Sequence, residues 1–497
     1  MLKTFILKHD KGVQRALEIL PGLVSWNIIL FPYWGIFVIP EIVAYFILAF
    51  NVYWFYQSFT IAITATISHL RVQASMNYDW LKDIRSFPDW QKIRHIVVLP
   101  AYKEPLHILE RTISSLKNQT LPTKQIIIVL ALEEREDEKE RNNKTKILKN
   151  KFDGVFGNFY TTIHKLRVGE TIGKHSNQRH AAMWVKRELV DNKGMNIKYL
   201  TVTSSDSDHK FHHNHFACLT YKFLDNPNRY TYFWQPIMMF YNNIWELPAI
   251  TRIQNTLMSI WNLSQLPRQD RLINAQNYSL SLKLLHEVGY WDKDKIPEDW
   301  GIFFKTFYKK KGMVEVEPIY LPVYADAALS SSFWKTLKNQ YEQIKRWAWG
   351  VSDDPWIIKN YFLADDVPFI DKTLRLVTVI WAHFLWPVNW FIITIGLTLP
   401  TLISPAFGRT TLGYTVPKVS SFVLTLALIF LVIMLIFDHI YKPPRPKSFP
   451  LWRAILIPLE FVLMPIAGFF FSALPGLDAH TRLMLGKYIE YRVTEKV

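Results

Sequence analysis

The sequence predicts an α/β protein in which a doubly wound domain is inserted between long apolar helices at the two ends of the chain. Apolar runs near both ends are long enough to cross a bilayer, which needs about 20 apolar residues. The middle of the chain is highly charged and alternates short apolar strands with segments of helical periodicity. That alternation is typical of a doubly wound sheet. The 497 residues suffice for more than one domain.

The overall composition is an average over two kinds of segment, the long apolar runs near the ends and the highly charged middle. Hydrophobic residues make up 49% and charged residues 20% of the chain, but the mean hydropathy is only +0.03. The formal net charge of +16 fits an anionic membrane surface, a nucleic acid or an anionic small substrate. We expect no nucleic-acid partner, because the charged middle has no basic stripe with interleaved aromatic residues. The one cysteine, Cys218, excludes an internal disulfide, and its place near an apolar helix face predicts a packing role.

A helical hairpin is predicted near the start of the chain, over residues 21–70. Residues 23–39 and 42–67 are apolar, and Pro40 and Glu41 interrupt them. Lysines and arginines flank both ends of the hairpin, so residues 1–20 and the middle of the chain are expected in the cytoplasm. No short apolar stretch with a small-residue cleavage site follows the basic start. The apolar runs are therefore interpreted as anchors rather than as a signal peptide.

Residues 90–330 are predicted to fold as a soluble α/β domain. The expected strands cover residues 95–99, 125–132, 160–164 and 197–203, and the expected helices cover 105–116 and 176–189. The strand at 125–132 is continuously apolar, as in a parallel sheet buried on both faces. The stretch 133–151 is dense in charged residues and is interpreted as a solvated helix.

The last third of the chain is predicted to return to the membrane. An amphipathic helix rich in Trp and Lys is expected at 333–349, within a group of interface helices at 331–368. Membrane helices are expected within 372–475, at 376–402, 419–440 and 452–473. The basic loop 442–447 should be cytoplasmic, so a third crossing would place the tail, 476–497, outside. That tail is itself basic, so either the last segment is re-entrant or the charge rule fails here.

Two carboxylates follow the last predicted strand of the sheet. Asp206 and Asp208 are one residue apart, so that a turn can aim both at one Mg²⁺ or Mn²⁺ ion. The alternative is an Asx turn that caps the next helix. The histidines that come next suggest zinc, but no Cys–His spacing supports it, and they are interpreted as solvated or phosphate-facing: His209, His212, His213 and His215.

Two further motifs carry groups suited to group transfer. Glu298 and Asp299 precede a helix-like stretch and supply a candidate general base, or only a favourable helix start. Gln343 and Arg346 are three residues apart, so they share a helix face, and Trp347 follows. Arginine binds a diphosphate by paired hydrogen bonds and tryptophan stacks on a sugar or a base. The alternative is an interfacial helix with its usual Arg and Trp.

Taken together and in this order, the motifs resemble those of the processive family 2 glycosyltransferases, a group that includes the cellulose, chitin and hyaluronan synthases. The resemblance runs from about residue 93 to the C-terminal apolar segments. It implies a GT-A-like fold for the cytosolic domain, and a metal-dependent hexosyltransferase that uses Mg²⁺ or Mn²⁺. Two departures stand out: ALEERE replaces the usual Asp-Asp-Gly after the second strand, and Pro297 stands where the family has Thr.

The resemblance also implies roles for individual residues. On the donor side it implies that Tyr102, Glu104, Glu133, Lys174, Asp206, Gln343, Arg346 and Trp347 bind the nucleotide sugar. It implies that Asp206 and Asp208 hold the metal, and that Gln235, Pro236 and Trp347 contact the acceptor. Residues 277–281 and 289–292 resemble the donor-sugar loop. Asp299, next to Glu298, is the implied general base of a single displacement with inversion.

Three functions remain after this resemblance. The first is transfer from a nucleoside diphosphate sugar, expected to be UDP-linked, to a growing polysaccharide at the plasma (inner) membrane, by a multi-pass protein with a cytoplasmic catalytic domain. The second is transfer of a single sugar to a membrane lipid, since ceramide glucosyltransferases carry a similar motif set. The third is a transporter or receptor. His383, Asn389 and Glu460 lie within the apolar spans and either line a path or make helix-packing contacts.

Overall fold

An eight-stranded sheet forms the centre of the protein in a computed structural model that describes residues 2–396 and 399–491. Its strands are β1 (Arg94–Ala101), β2 (Ile126–Glu133), β3 (Asn158–His164), β4 (Leu200–Ser204), β5 (Lys210–Phe211), β6 (Tyr232–Met239), β7 (Tyr278–Ser281) and β8 (Glu315–Tyr324). Across the sheet they are ordered β3-β2-β1-β4-β7-β6-β8-β5. The mixed α/β fold expected from the sequence is confirmed.

The four strands β3, β2, β1 and β4 are parallel to one another. Every residue of β2 is buried, and β1 is buried after its first residue, because helices cover both faces. Continuous apolar runs such as Ile126–Glu133 are the sequence signature of that double burial. The carboxyl ends of parallel strands meet at one edge, so Tyr102, Glu133 and the turn after β4 come together there.

The other half of the sheet is mixed. β7 is antiparallel to both β4 and β6, β6 and β8 are parallel, and the short β5 is antiparallel to β8. The register of β6 and β8 shifts between Pro236 and Ile237. Prolines in paired strands mark edges or irregularities, because proline donates no ladder hydrogen bond. The shift lies beside Gln235, at the floor of the cavity described below.

Two long helices precede the sheet. The N-terminal helices are α1 (Leu2–Lys8), α2 (Asp10–Val38), α3 (Pro40–Asn77) and α4 (Trp80–Ile84). The hairpin of α2 and α3 turns at Ile39, where Pro40 starts the second helix. Proline is favoured at a first helical position, since its missing N–H would be unpaired there. The predicted hairpin is therefore present, and its helices extend beyond the predicted bounds at their outer ends.

Further helices surround the sheet and follow it in the chain. They are α5 (Leu106–Lys117), α6 (Glu138–Lys151), α7 (Lys174–Val185), α8 (His215–Asp225), α9 (Ala249–Gln265), α10 (Leu282–Glu287), α11 (Glu298–Lys309), α12 (Phe333–Ala348) and α13 (Asp354–Leu363). The predicted solvated helix corresponds to α6, which buries only Arg141 and Leu148. Cys218 lies on α8 and is fully buried, which confirms its packing role.

The predicted amphipathic helix is present as α12. Phe333 and Trp334 are exposed at its start, whereas Gln343, Ile344 and Ala348 are buried. The buried face packs against the helix Leu474–Met484.

The C-terminal helices are α14 (Phe369–Phe391), α15 (Leu399–Ile403), α16 (Pro405–Gly408), α17 (Thr411–Tyr441), α18 (Leu451–Glu460), α19 (Met464–Gly468) and α20 (Leu474–Met484). Five segments of the described chain are long and apolar enough to cross a membrane: Asp10–Val38, Pro40–Asn77, Phe369–Thr394, Thr411–Tyr441 and Leu451–Met484. They correspond to the five apolar segments predicted from the sequence.

The last of these segments begins and ends beside the α/β domain. Just before it, Phe449 packs on Trp245, with ring centroids 5.1 Å apart. Near its end, Asp478 forms an ion pair with Lys345 of α12 at 3.3 Å. Both ends therefore lie on one side of the helices, as the re-entrant alternative requires. Of the predicted tail, residues 492–497 lie outside the described residues.

We expect the centre of the sheet to dominate the stability of the domain. Ile128 on β2 is fully buried, whereas Ile163 on the edge strand β3 is 47% exposed. Ile128→Ala should cost about 2–5 kcal/mol, because it removes buried methyl groups and leaves a cavity. Ile163→Ala is the matched control and should cost much less. Thermal unfolding of the purified protein in detergent, followed by near-ultraviolet circular dichroism, measures both; equal shifts in midpoint would contradict the assigned burial.

Candidate active site

A cavity of about 1200 Å³ joins the carboxyl edge of the sheet to the apolar helices. All thirteen site residues selected from the sequence line it: Tyr102, Glu104, Glu133, Lys174, Asp206, Asp208, Gln235, Pro236, Glu298, Asp299, Gln343, Arg346 and Trp347. These residues come from seven different parts of the chain, so the fold gathers them.

The turn after β4 carries the acidic pair. One ligand atom each of Asp206, Asp208 and His209 lies within 4.8 Å of the others. The Oδ2 atom of Asp208 accepts a hydrogen bond of 2.9 Å from the backbone N–H of Asp326, which follows β8. Asp326 in turn pairs with Arg111 of α5 at 2.5 Å. The orientation of Asp208 is therefore fixed by two neighbouring elements.

His209 supports Asp206. Its Nδ1 atom accepts a hydrogen bond of 3.2 Å from the backbone N–H of Asp206, so the neutral ring carries its proton on Nε2. The Nε2 atom lies 3.7 Å from Oδ2 of Asp206. Two carboxylates beside an imidazole suit Mg²⁺ or Mn²⁺, with Asp206 and Asp208 as the oxygen ligands.

The prediction that the histidines of this segment are solvated or phosphate-facing is wrong for His215, which lies in the core, whereas His209 lines the cavity beside Asp206. His209 and His215 are fully buried, whereas His213 is exposed. Burial lowers the pKa of His215 to about 3, so its ring stays neutral. The sequence pattern misled because His215 begins α8, whose first turns are buried in the core. The only group of potential metal ligands within the described residues contains no cysteine.

Lys174 links the acidic groups. It opens α7, and its ammonium lies 2.8 Å from Asp206 and 3.0 Å from Glu298. Burial acts to lower the pKa of Lys174, but the carboxylates of Asp206, Glu298 and Asp299 raise it well above the usual value. The preceding Gly173 has φ +152°, and a Cβ there would approach the ring of His175 to 2.7 Å. Glycine therefore allows the chain to present Lys174 to the site.

Asp299 lies in the first turn of α11 and faces the cavity. Its Oδ1 atom is buried and has no hydrogen-bond partner within the part of the chain that the structure describes. Burial, and then the charge of Glu298, raise the pKa of Asp299 well above its ordinary value. Asn274 donates a hydrogen bond of 2.9 Å to its backbone carbonyl. A carboxylate in this state accepts a proton more readily than an exposed one.

The region after β1 and β2 contains an arginine that the family motif does not. Arg135, from the stretch ALEERE, pairs with Glu133 and places its guanidinium 4.4 Å from the ring centroid of Tyr102. Burial raises the pKa of Glu133, and Arg135 opposes that shift. Glu104 accepts a hydrogen bond from the backbone N–H of Tyr102. The departure from Asp-Asp-Gly therefore produces a stacked Arg–Tyr wall at this end of the cavity.

α12 contributes the opposite wall. The Oε1 atom of Gln343 is buried without a partner among the described residues, and Gln343 lines the cavity. Trp347 packs on Phe240, with ring centroids 5.5 Å apart. The shared face predicted for Gln343 and Arg346 is present, because both side chains line the cavity.

The side chain of Gln235 hydrogen-bonds the backbone of the loop at residues 275–276. Its Oε1 atom accepts a hydrogen bond of 2.8 Å from the N–H of Ala275, and its Nε2 atom donates one of 3.2 Å to the carbonyl of Gln276. Ala275 and Gln276 line the cavity. The two segments that resembled a donor-sugar loop, 277–281 and 289–292, do not line the cavity. Residues 278–281 form the buried strand β7.

Several lining residues were missed by the sequence analysis. Trp300 stacks on His383 with ring centroids 5.1 Å apart, and Nδ1 of His383 lies 2.7 Å from Asp354. His383 thus both lines the cavity and packs between helices, so the two alternatives for it are combined. Tyr491, which follows α20, also lines the cavity. No short motif marks Trp300 or Tyr491. Trp300 directly follows Asp299, but its ring contact is with His383 on a distant helix, and Tyr491 reaches the site from beyond α20.

The far part of the cavity lies among the apolar helices. Tryptophans line it, namely Trp54, Trp381, Trp386 and Trp390. The indole N–H groups of Trp54 and Trp386 are buried and have no partner among residues 2–396 and 399–491. On the side of α17 the lining is apolar, with Leu424, Leu428, Phe430, Leu431 and Met434.

Comparison with solved structures gives low-level similarity. A mannosyltransferase from Pyrobaculum calidifontis in complex with GDP-Man and Mn²⁺ is 11% identical, with 75% of this chain and 99% of that chain covered and a TM-score of 0.38. GalNAc-T7 with UDP, GalNAc and Mn²⁺ is 12% identical, with 62% and 57% covered and a TM-score of 0.34. TarS of S. aureus is 12% identical, with 66% and 55% covered and a TM-score of 0.30. This chain spans little more than half the length of the last two.

A comparison with curated proteins gives no match. Residues 201–437 match the family described as Glycosyl transferase family group 2. The matched segment begins in β4 and ends in α17, so it includes the acidic pair, Asp299 and the α12 motif. Residues 201–437 are therefore similar to this glycosyltransferase family, and they include part of an α/β core that is flanked by long apolar helices.

Proposed function

We propose that the protein is an inverting, metal-dependent hexosyltransferase that uses a nucleoside diphosphate sugar, with UDP as the expected nucleotide. One observation carries the proposal. The buried, unpartnered Oδ1 atom of Asp299 lines the same cavity as the carboxylates of Asp206 and Asp208. A base for the acceptor and ligands for a cation beside the leaving group are the two requirements of sugar transfer.

The proposed reaction is a single displacement. Asp299 takes the proton of an acceptor hydroxyl, whose oxygen then attacks the anomeric carbon of the donor. The bond from that carbon to the diphosphate oxygen breaks, and the nucleoside diphosphate leaves with both electrons of that bond. Arg346 hydrogen-bonds the departing diphosphate, because a guanidinium forms paired hydrogen bonds with phosphate oxygens. One attack from the opposite face inverts the anomeric configuration.

Asp206 and Asp208 would hold Mg²⁺ or Mn²⁺, which supplies positive charge beside the leaving diphosphate. Lys174 keeps Asp206 and Glu298 close together by balancing their charges. The stacked Tyr102 and Arg135, with Glu133, form the proposed surface for the nucleobase. Aromatic and guanidinium planes accept any base by stacking, so this surface alone does not choose the nucleotide.

We favour a growing glycan as the acceptor. The indole N–H groups of Trp54 and Trp386 lack a partner within the described chain, and their rings line the far part of the cavity. Tryptophans combine a flat apolar face with one hydrogen-bond donor, which suits a sugar ring and its hydroxyls. A membrane lipid is the second candidate, because the lining on α17 is apolar, from Leu424 to Met434.

For the membrane arrangement we propose four crossings, by α2, α3, α14 and α17, with the catalytic domain in the cytoplasm. The segment Leu451–Met484 would then be re-entrant. Two features support this arrangement: both ends of that segment contact the α/β domain, and Tyr491 lies in the catalytic cavity. The proposal also removes the conflict between a basic tail and an outside location.

Removal of the proposed base tests the chemistry. Asp299→Asn keeps the shape of the side chain but cannot accept the proton, so sugar transfer should fall by about 10²–10⁴-fold. Nucleotide binding should persist. Asp294→Asn changes an exposed carboxyl of the same loop and serves as the matched control. Transfer from a radiolabelled sugar nucleotide measures both variants, and a normal rate for Asp299→Asn would overturn the role assigned to this carboxylate.

Metal removal tests the acidic pair. Chelation with EDTA should abolish transfer, and added Mn²⁺ or Mg²⁺ should restore it. Asp206→Asn and Asp208→Asn should each raise the Mn²⁺ concentration needed for half-maximal rate by about tenfold or more, because each removes a charged oxygen ligand. His213→Ala, which changes an exposed histidine of the same segment, should leave that concentration unchanged. Full activity in EDTA would contradict metal dependence.

The acceptor class is tested by product mass. Purified protein in lipid should release nucleotide from one of a panel of UDP- and GDP-sugars, and the product should be a glycan of many sugar units. Trp386→Phe removes the indole N–H but keeps an aromatic ring, so it should shorten the product. A single sugar on an extracted lipid would instead establish the second candidate. Release of no nucleotide from any donor would contradict the transferase assignment.

A further inference from the structure

We propose that His383 binds the acceptor, by a hydrogen bond between its ring and an acceptor hydroxyl next to the one that Asp299 deprotonates. The inference deepens the proposed function and rests on it, since it concerns the same cavity. His383 lies within α14, in a segment apolar enough to cross a membrane. A polar side chain in such a segment is costly unless its polar atoms are paired. One ring nitrogen of His383 has a partner in the protein, and the other is left for a ligand.

Asp354 holds one edge of the ring. It begins α13 and is fully buried, and its Oδ1 atom lies 2.7 Å from Nδ1 of His383. A carboxylate accepts hydrogen bonds, so a proton of the ring lies on Nδ1 and is donated to Asp354. Nε2 then offers a lone pair when the ring is neutral and an N–H when it is charged. A hydroxyl both donates and accepts, so it can hydrogen-bond Nε2 in either state.

Trp300 holds the face of the same ring. The two ring centroids are 5.1 Å apart, with 26° between the ring planes. Trp300 directly follows Asp299 in the first turn of α11, so the histidine stacks on the neighbour of the proposed base. That turn also packs against the segment that carries Asp354, because a Cβ placed at Gly301 would lie 3.3 Å from Oδ2 of Asp353. The ring is therefore fixed by its edge and by its face beside the proposed base.

Nε2 of His383 faces the cavity beside a glycine. A Cβ placed at Gly350 would lie 3.2 Å from Nε2 and 3.7 Å from Cε1, and both residues line the cavity. His383 is 4% exposed, and Nε2 has no hydrogen-bond partner anywhere in the described segments of the chain. Buried polar atoms in proteins are normally hydrogen-bonded. We therefore expect Nε2 to meet a polar group of the molecule that occupies the cavity.

The position of His383 assigns it to the acceptor rather than to the donor. Trp386 lies three residues further along α14, so the two side chains share a helix face, and both line the cavity. Trp386 belongs to the far part of the cavity, which is proposed to receive the acceptor. Asp206 and Asp208, the proposed metal ligands beside the diphosphate, instead follow β4 at the edge of the sheet. His383 thus joins the first turn of α11, which carries the proposed base, to the far part of the cavity.

The partition of the donor between transfer and hydrolysis tests the inference. The full-length protein in lipid receives a radiolabelled UDP- or GDP-sugar from which it releases nucleotide. Released nucleotide measures every turnover, and label in the product measures transfer to the acceptor. Water replaces an acceptor that is poorly held, so His383→Ala should lower the ratio of transferred sugar to released nucleotide by about five- to tenfold, the range of one hydrogen bond. The KM for the donor should stay the same.

A second variant tests the same nitrogen without removal of the ring. Gly350→Ala keeps the contact between His383 and Asp354 but crowds Nε2, so it should lower the same ratio, and it carries the test if His383→Ala fails to fold. Two matched controls should keep the ratio of the unaltered protein. Leu374→Ala changes an exposed position of α14 that does not line the cavity, and Gly12→Ala places a Cβ that meets nothing within 4 Å.

An unchanged ratio in His383→Ala, even with slower turnover, would overturn the inference, because a purely structural role slows transfer and hydrolysis alike. A higher KM for the donor at an unchanged ratio would overturn it too, since the histidine would then act at the donor site. An unchanged ratio in Gly350→Ala would overturn the role of Nε2. The labelled product, a glycan or an extracted lipid, identifies the acceptor that His383 binds. If the unaltered protein releases no nucleotide from any donor, the proposed function itself fails.

Discussion

The ammonium group of Lys174 holds together the edge of the sheet that carries the candidate site. Asp206 follows β4, Glu298 and Asp299 begin α11, and Lys174 begins α7, so one side chain joins three elements that are far apart in the sequence. Carboxylates this close together in a partly buried site repel one another unless a cation lies between them. Removal of one partner from a buried ion pair leaves an uncompensated charge, which is costly. The position of the proposed base therefore depends on the same contact that orders the proposed metal ligands.

The parallel half of the sheet could be predicted because each of its central strands contains a continuous apolar run in the sequence. β1 and β2 are buried on both faces, and their residues are almost all apolar as a result. The strand pattern is weaker in the sequences of β6, β7 and β8. β6 and β8 contain Pro236, Pro318 and Pro322, and β7 has only four residues. Their pairing depends on contacts between distant segments, which no local pattern encodes.

The residues of the candidate site also fall into two groups, those that the sequence predicted and those that it did not. The residues in short motifs were found, since Asp206, Glu298 and Arg346 each belong to a pattern of a few residues. His215 was misinterpreted because a run of histidines looks solvated unless the burial of the first turn of α8 is known. Tyr491 was missed because its place depends on how α20 packs against the domain. Arg135 stands in the stretch that departs from the family motif, but its stacking on an aromatic ring is a tertiary contact.

The short segment between α20 and Tyr491 has a further consequence. Ends of chains and exposed connections usually tolerate insertions and deletions, because little depends on their length. Here the segment is fixed at its start by Arg15 and reaches the cavity at Tyr491, so its length sets where the ring falls. One residue more or fewer would move the ring by about 3 Å, enough to break its contact with Arg346. Among relatives that share this architecture, the number of residues in this segment should vary less than their identity.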